Sequence, residues 1–579
     1  MKNLLGLFMI LLSLTMSGQT PMYTTDALPV DKNYILSNKG TKSVIIIDNT
    51  GKKIKEWLFD DPVTGLCVSK GIVYVTSSYA YGWLTSIDMG TGKVGFKTET
   101  GMGARSPIIN KDGSRIYVFN QFKTTVSEVD ALSGKVLRQV KVLREPTTGV
   151  LTLDGKYLFV NNALPAQRAD VDYVAAEVSV IGISGFNVVK NIKIENGSNA
   201  LRGICISTDG HYVFVTHNLG RFQVPTSQLN QGWMNTSAVS VIDVPTLSFA
   251  GSLLLDEPDR GAAGIWGITC TEDKLCISHS GTHDVSIVDL KSMRERFEKY
   301  PNKTSLSYDL RFMYGIRKRL LLTGNGPRNI SLSGGKLYIP TYFSDTLNIV
   351  DIATETISTI AYNPQRKESA EDLGEKVFND ASYCYQNWQS CNGCHPDART
   401  DGMNWDLMND GIGNPKNCKS LLYSHMTPPN MISGIRASAD IAVRAGFKFI
   451  QFLEVAPELA ESVDAYLKSL HPVPSPFLRN GDLSEKAKKG RKIFENLQCN
   501  DCHSGQYHTD MKMHHIGDHN EFEAGWDTPT LLEVWRTAPY LFDGRAATIK
   551  EIFSTYHHGI KEKISEREIE ELAEYVNSL

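Results

Sequence analysis

Three things are scarce in this sequence, and each scarcity excludes a class of protein. The formal net charge is only −4 over 579 residues, so no basic surface indicates a nucleic-acid partner. Ten cysteines are too few for disulfides to stabilise the fold of a chain of this length. Beyond the N-terminus no apolar run reaches the length of a transmembrane helix, so we expect no membrane anchor. What remains is a globular chain of about two to four domains.

The N-terminus has the pattern of a secretory signal peptide. Lys2 supplies a positive charge, residues 4–14 form an apolar core, and residues 17–19 are small or polar. No cysteine lies near residues 17–19, the end of the expected signal peptide, which argues against a lipid anchor. We therefore expect residues 1–19 to be removed and the mature protein to be periplasmic or otherwise exported.

Two short motifs predict the cofactor: Cys391-Asn-Gly-Cys394-His395 and Cys499-Asn-Asp-Cys502-His503. Cys-x-x-Cys-His attaches c-type haem, because two thiols add to the porphyrin vinyl groups and the imidazole binds the iron. From the cysteine and histidine content, about 0.004 matches are expected by chance. A four-cysteine zinc site or a thioredoxin-like redox pair would not need a His after each pair. The sequence therefore predicts two covalently bound haem c groups.

The remaining cysteines leave two possible disulfides open. Cys270 and Cys276 flank a polar turn and could face each other across a hairpin. Cys384 and Cys418 flank the first haem motif. An oxidising compartment would permit either bond, and buried free thiols explain the same residues equally well.

Between Tyr34 and Tyr362 one pattern recurs seven times: an apolar strand with period-two alternation, an Asp or Gly, a turn, and another strand. The seven copies end at Asp48, Asp88, Asp130, Gly182, Asp243, Asp289 and Asp351. Alternation of this kind indicates antiparallel strands, and a repeat of roughly 40 to 60 residues indicates propeller blades. We predict a seven-bladed β-propeller over residues 20–362. It resembles bacterial repeats named for a Tyr-Val-Thr-Asn strand, here Tyr74-Val-Thr-Ser and Phe214-Val-Thr-His.

Two stretches between strands, residues 216–236 and 255–266, are rich in His, Arg, Gln and Trp. Long polar loops on a rigid scaffold are candidate contact surfaces. They could also be blade connections that pack on their own propeller, with Trp233 and Trp266 as plugs.

After residue 363 the pattern changes to short helices, in two copies that we place at 363–476 and 477–579. Gly374 and Phe378 precede the first haem motif and Tyr466 closes that copy; Gly490, Phe494 and Tyr575 match them in the second. We align Thr427-Pro-Pro with Thr528-Pro-Thr. The arrangement resembles cytochrome c, which implies that an opening helix crosses a closing helix at the Gly. The expected fold is thus a β-propeller followed by two α-helical cytochrome c-like domains.

The second copy resembles more closely the bacterial dihaem cytochrome c peroxidases and the related maturase of methylamine dehydrogenase. Residues 528–551 carry the similarity, although Phe542 replaces the usual His of a Tyr-x-His-Asp-Gly motif. The resemblance implies a distal iron ligand at Tyr556, with His557 or His558 as alternatives. A Tyr or His ligand would stabilise ferric iron relative to a Met ligand.

The first copy departs from this family because no His follows at the usual distal place. Candidates for the sixth iron position are Met403, Met408, His425, Met426 and Met431, or the position stays open. The family's pocket Gln and Glu would fall at Gln451 and at Glu454 or Glu461, which are our candidate catalytic residues. Glu residues on the surface of the closing helix explain the same pattern.

The resemblance implies an exported, peroxidase-like dihaem oxidoreductase. Electrons would enter from a small redox protein or a quinol-linked donor at the His503 haem, and the oxidant, peroxide, would react at the His395 haem. A protein partner could bind the propeller face. Two alternatives remain: a non-catalytic electron-transfer protein, and a propeller-centred binding protein with accessory cytochromes.

Overall fold

The structure is a computed structural model that describes residues 19–225, 234–409, 411, 413–516, 523–561 and 563–579. The predicted signal peptide, apart from its last residue, and Trp233 lie outside the described residues. None of the described helices is long and apolar enough to cross a membrane.

Seven antiparallel sheets make up the N-terminal part of the described chain. Their strands pair in chain order, except that the two short first strands of the fifth sheet both pair with the strand that follows them. Blades one to three contain β1 (Thr24–Val30), β2 (Asn33–Asn38), β3 (Ser43–Ile47), β4 (Lys53–Leu58), β5 (Val63–Ser69), β6 (Ile72–Ser78), β7 (Gly82–Asp88), β8 (Val94–Glu99), β9 (Ala104–Ile109), β10 (Arg115–Asn120), β11 (Thr125–Asp130) and β12 (Val136–Lys141). Blades four and five contain β13 (Pro146–Leu151), β14 (Tyr157–Asn162), β15 (Glu177–Gly182), β16 (Asn187–Lys193), β17 (Ser198–Asn199), β18 (Ile204–Ile206), β19 (Tyr212–Gly220), β20 (Asn235–Asp243) and β21 (Ser248–Leu254). Blades six and seven contain β22 (Ile265–Cys270), β23 (Lys274–His279), β24 (Asp284–Asp289), β25 (Arg317–Leu321), β26 (Ser331–Ser333), β27 (Lys336–Thr341), β28 (Thr346–Asp351) and β29 (Ile357–Ala361).

The seven-bladed propeller is confirmed, and each predicted copy of the repeat is the next-to-last strand of a blade. The Asp at the end of six of the seven copies lies in the turn that follows. Asp48 Oδ1 accepts hydrogen bonds from the backbone N–H of Thr50 at 2.8 Å and of Lys52 at 3.0 Å. Asp88 Oδ1 accepts one from Thr91 N–H at 2.7 Å. An Asx turn of this kind reverses the chain without a longer loop.

Neighbouring blades are held together by the apolar side chains that alternate along their strands. Phe159 of blade four and Val213 of blade five, for example, belong to one buried cluster. Because each blade buries both of its faces only against its neighbours, the ring of seven closes a continuous core.

The C-terminal part is built from helices and short turns. The helices are α2 (Ala370–Asn379), α3 (Ala439–Ala445), α4 (Pro457–Lys468), α5 (Glu485–Asn496), α6 (Ile549–Ser554) and α7 (Glu566–Asn577), while α1 (Leu290–Lys299) follows β24 within the propeller. Short strand pairs, β30 (Asn404–Trp405) with β31 (Lys416–Asn417) and β32 (Met513–His514) with β33 (Trp526–Asp527), follow the two haem motifs.

Both predicted helix crossings are present. A Cβ on Gly374 would collide with the carbonyl oxygen of Ser462 where α2 meets α4, and the same holds for Gly490 and Glu571 where α5 meets α7. The aromatic partners pack at each crossing: the ring centroids of Phe378 and Tyr466 lie 5.4 Å apart. In the second copy those of Phe494 and Tyr575 lie 5.3 Å apart.

The duplication extends into the loops, where one of our sequence alignments is wrong. Gly434 and Gly544 both have φ of +65° and end matching turns, in which Met431 and Leu541 have φ of 69° and 70°. This register pairs Thr427 with Thr537, not with Thr528. Thr528 corresponds instead to Cys418, since each directly follows the second strand of its short pair. Thr-Pro is too short a motif to set the register on its own.

Neither possible disulfide forms: Cys270, Cys276, Cys384 and Cys418 are not bonded to one another. Cys270 Sγ lies 3.1 Å from the carbonyl oxygen of Ile206 in the neighbouring blade, and Cys276 is buried in its own strand. Cys384 is also buried, whereas Cys418 lies at the first haem motif.

Candidate functional site: one cavity lined by both Cys-x-x-Cys-His motifs

Each Cys-x-x-Cys-His motif forms a single tight helical turn. The N–H of His395 donates to Cys391 O at 3.0 Å, and the N–H of His503 donates to Cys499 O at 3.0 Å. One turn of helix brings residues i, i+3 and i+4 to the same side. Both thiols and the imidazole of each motif therefore face one space.

That space is a single cavity of about 1690 Å³. It is lined by all six residues that the sequence assigned to haem attachment: Cys391, Cys394, His395, Cys499, Cys502 and His503. Cavities that hold one small ligand usually measure about 300–1,000 Å³. The volume and the thiol pairs at two places on its wall fit two porphyrins.

The two imidazoles are oriented as iron ligands would be. His395 Nδ1 lies 3.0 Å from Arg399 O, and His503 Nδ1 lies 3.2 Å from His508 O. A carbonyl at Nδ1 fixes the proton there and leaves the Nε2 lone pair for a metal. The donor sets of both motifs thus fit a c-type haem.

On the second haem motif, His558 faces His503. Their ring centroids are 6.4 Å apart and the ring planes are inclined by 48°. Two imidazoles that bind one metal ion from opposite sides, with metal–nitrogen distances of about 2.0–2.1 Å, have centres roughly 6 Å apart. Burial, and then the neighbouring His503, lower the pKa of His558 to about 4, so its ring is neutral at pH 7.

Tyr556 and His557 also line the cavity, but the structure shows neither opposite His503. The Tyr556 hydroxyl donates to Arg545 O at 2.9 Å. His557 is exposed. Tyr556 as distal ligand stays a prediction, and the geometry favours its alternative His558.

On the first haem motif, the five candidates for the sixth iron position divide into two groups. Met408 and Met431 line the cavity. The other three are absent from its wall: Met403, His425 and Met426. His425 is instead tied to Asp464, with Nε2 and Oδ1 3.0 Å apart.

Of the three candidate catalytic residues, only Gln451 lies at the cavity. It is 4% exposed, and its Nε2 lies 3.6 Å from Cys391 Sγ. Its Oε1 is buried and finds no hydrogen-bond partner among the described residues. Glu454 is exposed and paired with Lys448 at 2.8 Å, and Glu461 is exposed on α4. Neither carboxylate faces the cavity, so neither is placed to act as an acid or base there.

A π-helical turn, Gly446–Ile450, continues α3 and leads directly into Gln451. Single π turns inside helices are rare and occur mostly at functional sites. Phe449 and Ile450 from this turn line the cavity beside Gln451. The extra residue of the turn therefore sets where Gln451 points.

The propeller supplies part of the first haem site, which the sequence did not predict at the level of residues. Strands β19 and β20 are nine residues long and extend beyond their blade. Asn235 Nδ2 lies 3.2 Å from Cys394 Sγ, and Asn218 Nδ2 donates to Gly393 O at 3.4 Å. Met234 lines the cavity.

The second polar stretch also reaches the first helical copy. The N–H of Gly261 donates to Gln386 O at 2.8 Å. A Cβ on Gly261 would clash with the backbone of Asn387 and Trp388. Described parts of both stretches are therefore internal contact surfaces between the propeller and the first haem-motif unit.

Cys418 is next to the first haem motif. Its Sγ lies 3.4 Å from His395 Nδ1 and 3.3 Å from Cys394 O. A nearby buried carboxyl, Asp401, accepts hydrogen bonds from Trp405 Nε1 and Met403 N–H, both at 2.9 Å. Burial raises the pKa of Asp401 to about 7, so a proton can be exchanged here near neutral pH.

A buried ionic network joins the propeller, the first motif and the second helical copy. Arg399, whose carbonyl accepts from His395, places its guanidinium 2.9 and 3.0 Å from the carboxylate oxygens of Glu533. Arg536 pairs with Glu145 of the propeller at 2.7 Å and with Glu533 at 3.4 Å. Burial opposes the charge of Arg536, but Glu145 and then Glu533 raise its pKa. No motif in the sequence predicted this network.

Fold and site together define a propeller joined to a helical unit with two c-type haem motifs around one cavity. No protein-family model matches the chain. It is 27% identical over 284 residues to the gamma subunit of hydrazine synthase from Kuenenia stuttgartiensis, a match that spans 38% of this chain and 80% of that subunit. It is 27% identical over 193 residues to the beta subunit of the same enzyme, spanning 32% of this chain and 49%, about half, of that subunit.

A solved structure of Kuenenia stuttgartiensis hydrazine synthase matches the fold with a TM-score of 0.50 and 21% sequence identity. The match covers 60% of this chain and 97% of that chain. This chain is thus similar to two different subunits of one enzyme.

Proposed function

We propose that this protein is an exported dihaem c-type oxidoreductase whose two haems share one cavity and serve different roles. One observation carries the proposal: both Cys-x-x-Cys-His motifs open into the same cavity, and their surroundings differ. A His faces the second motif, whereas Gln451 and the propeller residues Asn218 and Asn235 lie beside the first.

When bound, c-type haem supplies an iron that exchanges single electrons and can take a small oxidant at an open sixth position. Cys391 and Cys394 would tether the first group and His395 would hold its iron, with Nδ1 fixed by Arg399 O. The side-chain carbonyl oxygen of Gln451 is buried and can accept a hydrogen bond. Asn235 and Met234 keep water away from the thiol side of this motif.

The different surroundings of the two motifs suggest different roles for their haems. His558 closes the second site, which suits electron entry from a small redox protein or a quinol-linked donor. The first site would receive the oxidant, for which peroxide is the leading candidate. The similarity to hydrazine synthase subunits supports a second candidate, in which the chain is part of a multi-subunit enzyme that acts on small inorganic nitrogen compounds.

Replacing His558 by Met is expected to raise the reduction potential of the second haem by about 0.2 V, because a thioether stabilises ferrous iron better than an imidazole. Potentiometric titration of the dihaem protein, followed optically, measures this shift. Tyr556→Phe is the matched control and should leave both potentials within about 0.03 V of the parent. A shift with Tyr556→Phe and none with His558→Met would instead assign the ligand to Tyr556.

Hydrogen peroxide added to the reduced protein is expected to reoxidise both haems rapidly. Gln451→Ala should slow this reaction at least about tenfold, since a preorganised hydrogen-bonding side chain contributes roughly 10²–10³-fold to a transition state that it stabilises. Gln167→Ala, an exposed change on the propeller, is the control. No reaction with peroxide, together with reoxidation by hydroxylamine, would favour the nitrogen-compound candidate.

The non-catalytic electron carrier remains the alternative, and the possible iron ligands Met408 and Met431 on the cavity wall favour it. Electron paramagnetic resonance of the ferric protein distinguishes the oxidoreductase from the electron carrier. A high-spin signal from one haem supports an open first site. Two low-spin signals, with no reaction toward either oxidant, would assign the chain to electron transfer alone.

A further inference from the structure

Two cysteines from neighbouring blades lie at the interface between blade five and blade six. Cys205 is the middle residue of β18 in blade five, and Cys270 is the last residue of β22, the first strand of blade six. The two strands lie side by side across the interface. Neither cysteine belongs to a haem motif, and the proposed function uses neither thiol.

The register of the two strands places Cys205 beside Cys270. A Cβ on Gly203, two residues before Cys205, would lie 3.0 Å from Cγ2 of Ile268, two residues before Cys270. Blades repeat by rotation about the axis, so their inner strands run in the same direction. Side chains two residues apart in an extended chain point to the same face, so the next facing pair is Cys205 and Cys270. In agreement, Cys270 Sγ lies 3.1 Å from Ile206 O, the carbonyl of the residue after Cys205.

The alternation of side chains along these strands leads to the same pair. Cys205 and Cys270 both pack against the apolar cluster between blades five and six. The neighbours of Cys205, Ile204 and Ile206, pack instead against the cluster shared with blade four. Cys276 belongs to the cluster between blades six and seven. The hairpin partner that the sequence suggested for Cys270 therefore lies on the opposite face of the blade, and the thiol beside Cys270 comes from blade five.

The two thiols differ in acidity, although they contact each other. The hydrogen bond with Cys205 lowers the pKa of Cys270. The same contact, and then burial, raise the pKa of Cys205. Cys270 therefore becomes the nucleophilic thiolate more readily. Both side chains are half-buried, so a small oxidant can reach them.

We propose that Cys205 and Cys270 form a disulfide bond that links blade five to blade six, which rests on the proposed export into an oxidising compartment. The bond forms by thiol–disulfide exchange with a disulfide-containing oxidant, such as oxidised glutathione. The Cys270 thiolate attacks one sulfur of the oxidant and releases a first thiol. The Cys205 thiol then attacks the Cys270 sulfur, loses its proton and releases the second thiol. The two protein thiols lose two electrons and two protons, and the disulfide of the oxidant gains both.

The bond joins the two parts of the propeller that contact the first haem motif and the segment before it. Blade five places Asn235 Nδ2 3.2 Å from Cys394 Sγ. The stretch that leads into blade six donates the N–H of Gly261 to Gln386 O at 2.8 Å. A covalent link between these blades fixes the two contacts relative to each other.

Oxidation of the full-length dihaem protein with oxidised glutathione tests this proposal. We expect the loss of two alkylatable thiols per chain and, in a non-reducing peptide map by mass spectrometry, a linked Cys205–Cys270 peptide pair. Dithiothreitol should restore both thiols and lower the unfolding midpoint by about 5 °C, because the bond restricts a long loop of the unfolded chain. Cys205→Ser should stop the reaction at a mixed disulfide between Cys270 and glutathione. Cys67→Ser, which changes a half-buried thiol on the first strand of blade two, is the matched control and should keep the link.

A parent protein that keeps both thiols after oxidation would overturn the proposal, as would a map in which Cys270 is linked to Cys276. The map of the parent decides even if a serine variant is too unstable to purify. Haem content and the reaction with peroxide are measured on the same sample. A missing disulfide in a protein that holds two haems and reacts with peroxide would refute this inference alone, and a linked pair in an inactive protein would refute only the proposed activity.

Discussion

The double change Cys391→Ser, Cys394→Ser is expected to halve the covalently bound haem, from two per chain to one. Serine hydroxyls do not add to porphyrin vinyl groups as thiols do, and the second motif keeps its own thiols on another part of the wall. Haem content by the pyridine haemochrome spectrum, set against protein mass by mass spectrometry, measures the loss.

Matched controls separate haem loss from loss of the fold. Cys67→Ser replaces a thiol of blade two, far from the cavity, and should retain both haems. The corresponding double change at Cys499 and Cys502 should also leave one haem, but remove the site that His558 faces. Two haems retained in the Cys391, Cys394 variant would refute covalent attachment at the first motif.

Glu533→Gln is expected to destabilise the protein by about 3–5 kcal/mol, because it leaves the buried guanidinium of Arg399 without its charge partner. Glu533 is 1% exposed and also accepts the N–H of Val473 at 3.1 Å. Denaturant unfolding followed by tryptophan fluorescence gives the free energy. Glu570→Gln, on the exposed side of α7, is the control and should change the unfolding midpoint little.

A second readout distinguishes positioning from simple stability. Arg399 holds His395 through its carbonyl, so Glu533→Gln should alter the optical and paramagnetic spectra of the first haem while those of the second stay constant. An unaltered first-haem spectrum together with parental stability would show that the network has no structural role.

The propeller could be predicted because its signal is local. Period-two strands and an Asp that closes the next turn repeat within each blade, so seven copies in the sequence become seven blades. The helix crossings were predicted from the resemblance to cytochrome c, and Gly374 and Gly490, where a Cβ would clash, lie at the two crossings.

The site was less predictable because its decisive contacts join distant residues. Asn235 and Cys394 are 159 residues apart, and Arg399 and Glu533 are 134 apart. Both contacts depend on how whole units dock, which no short motif encodes. His558 and Tyr556 lie in an irregular turn after α6. No helical or strand period applies there, so the sequence could not predict which of the two side chains faces His503.

The hairpin of β19 and β20 has a consequence for how the protein is made. It packs Asn235 against Cys394, so the propeller covers one thiol of the first motif. Under the proposed function, a porphyrin would have to react with Cys391 and Cys394 before the propeller and the first motif dock. Docking of the hairpin would then be the last step of assembly.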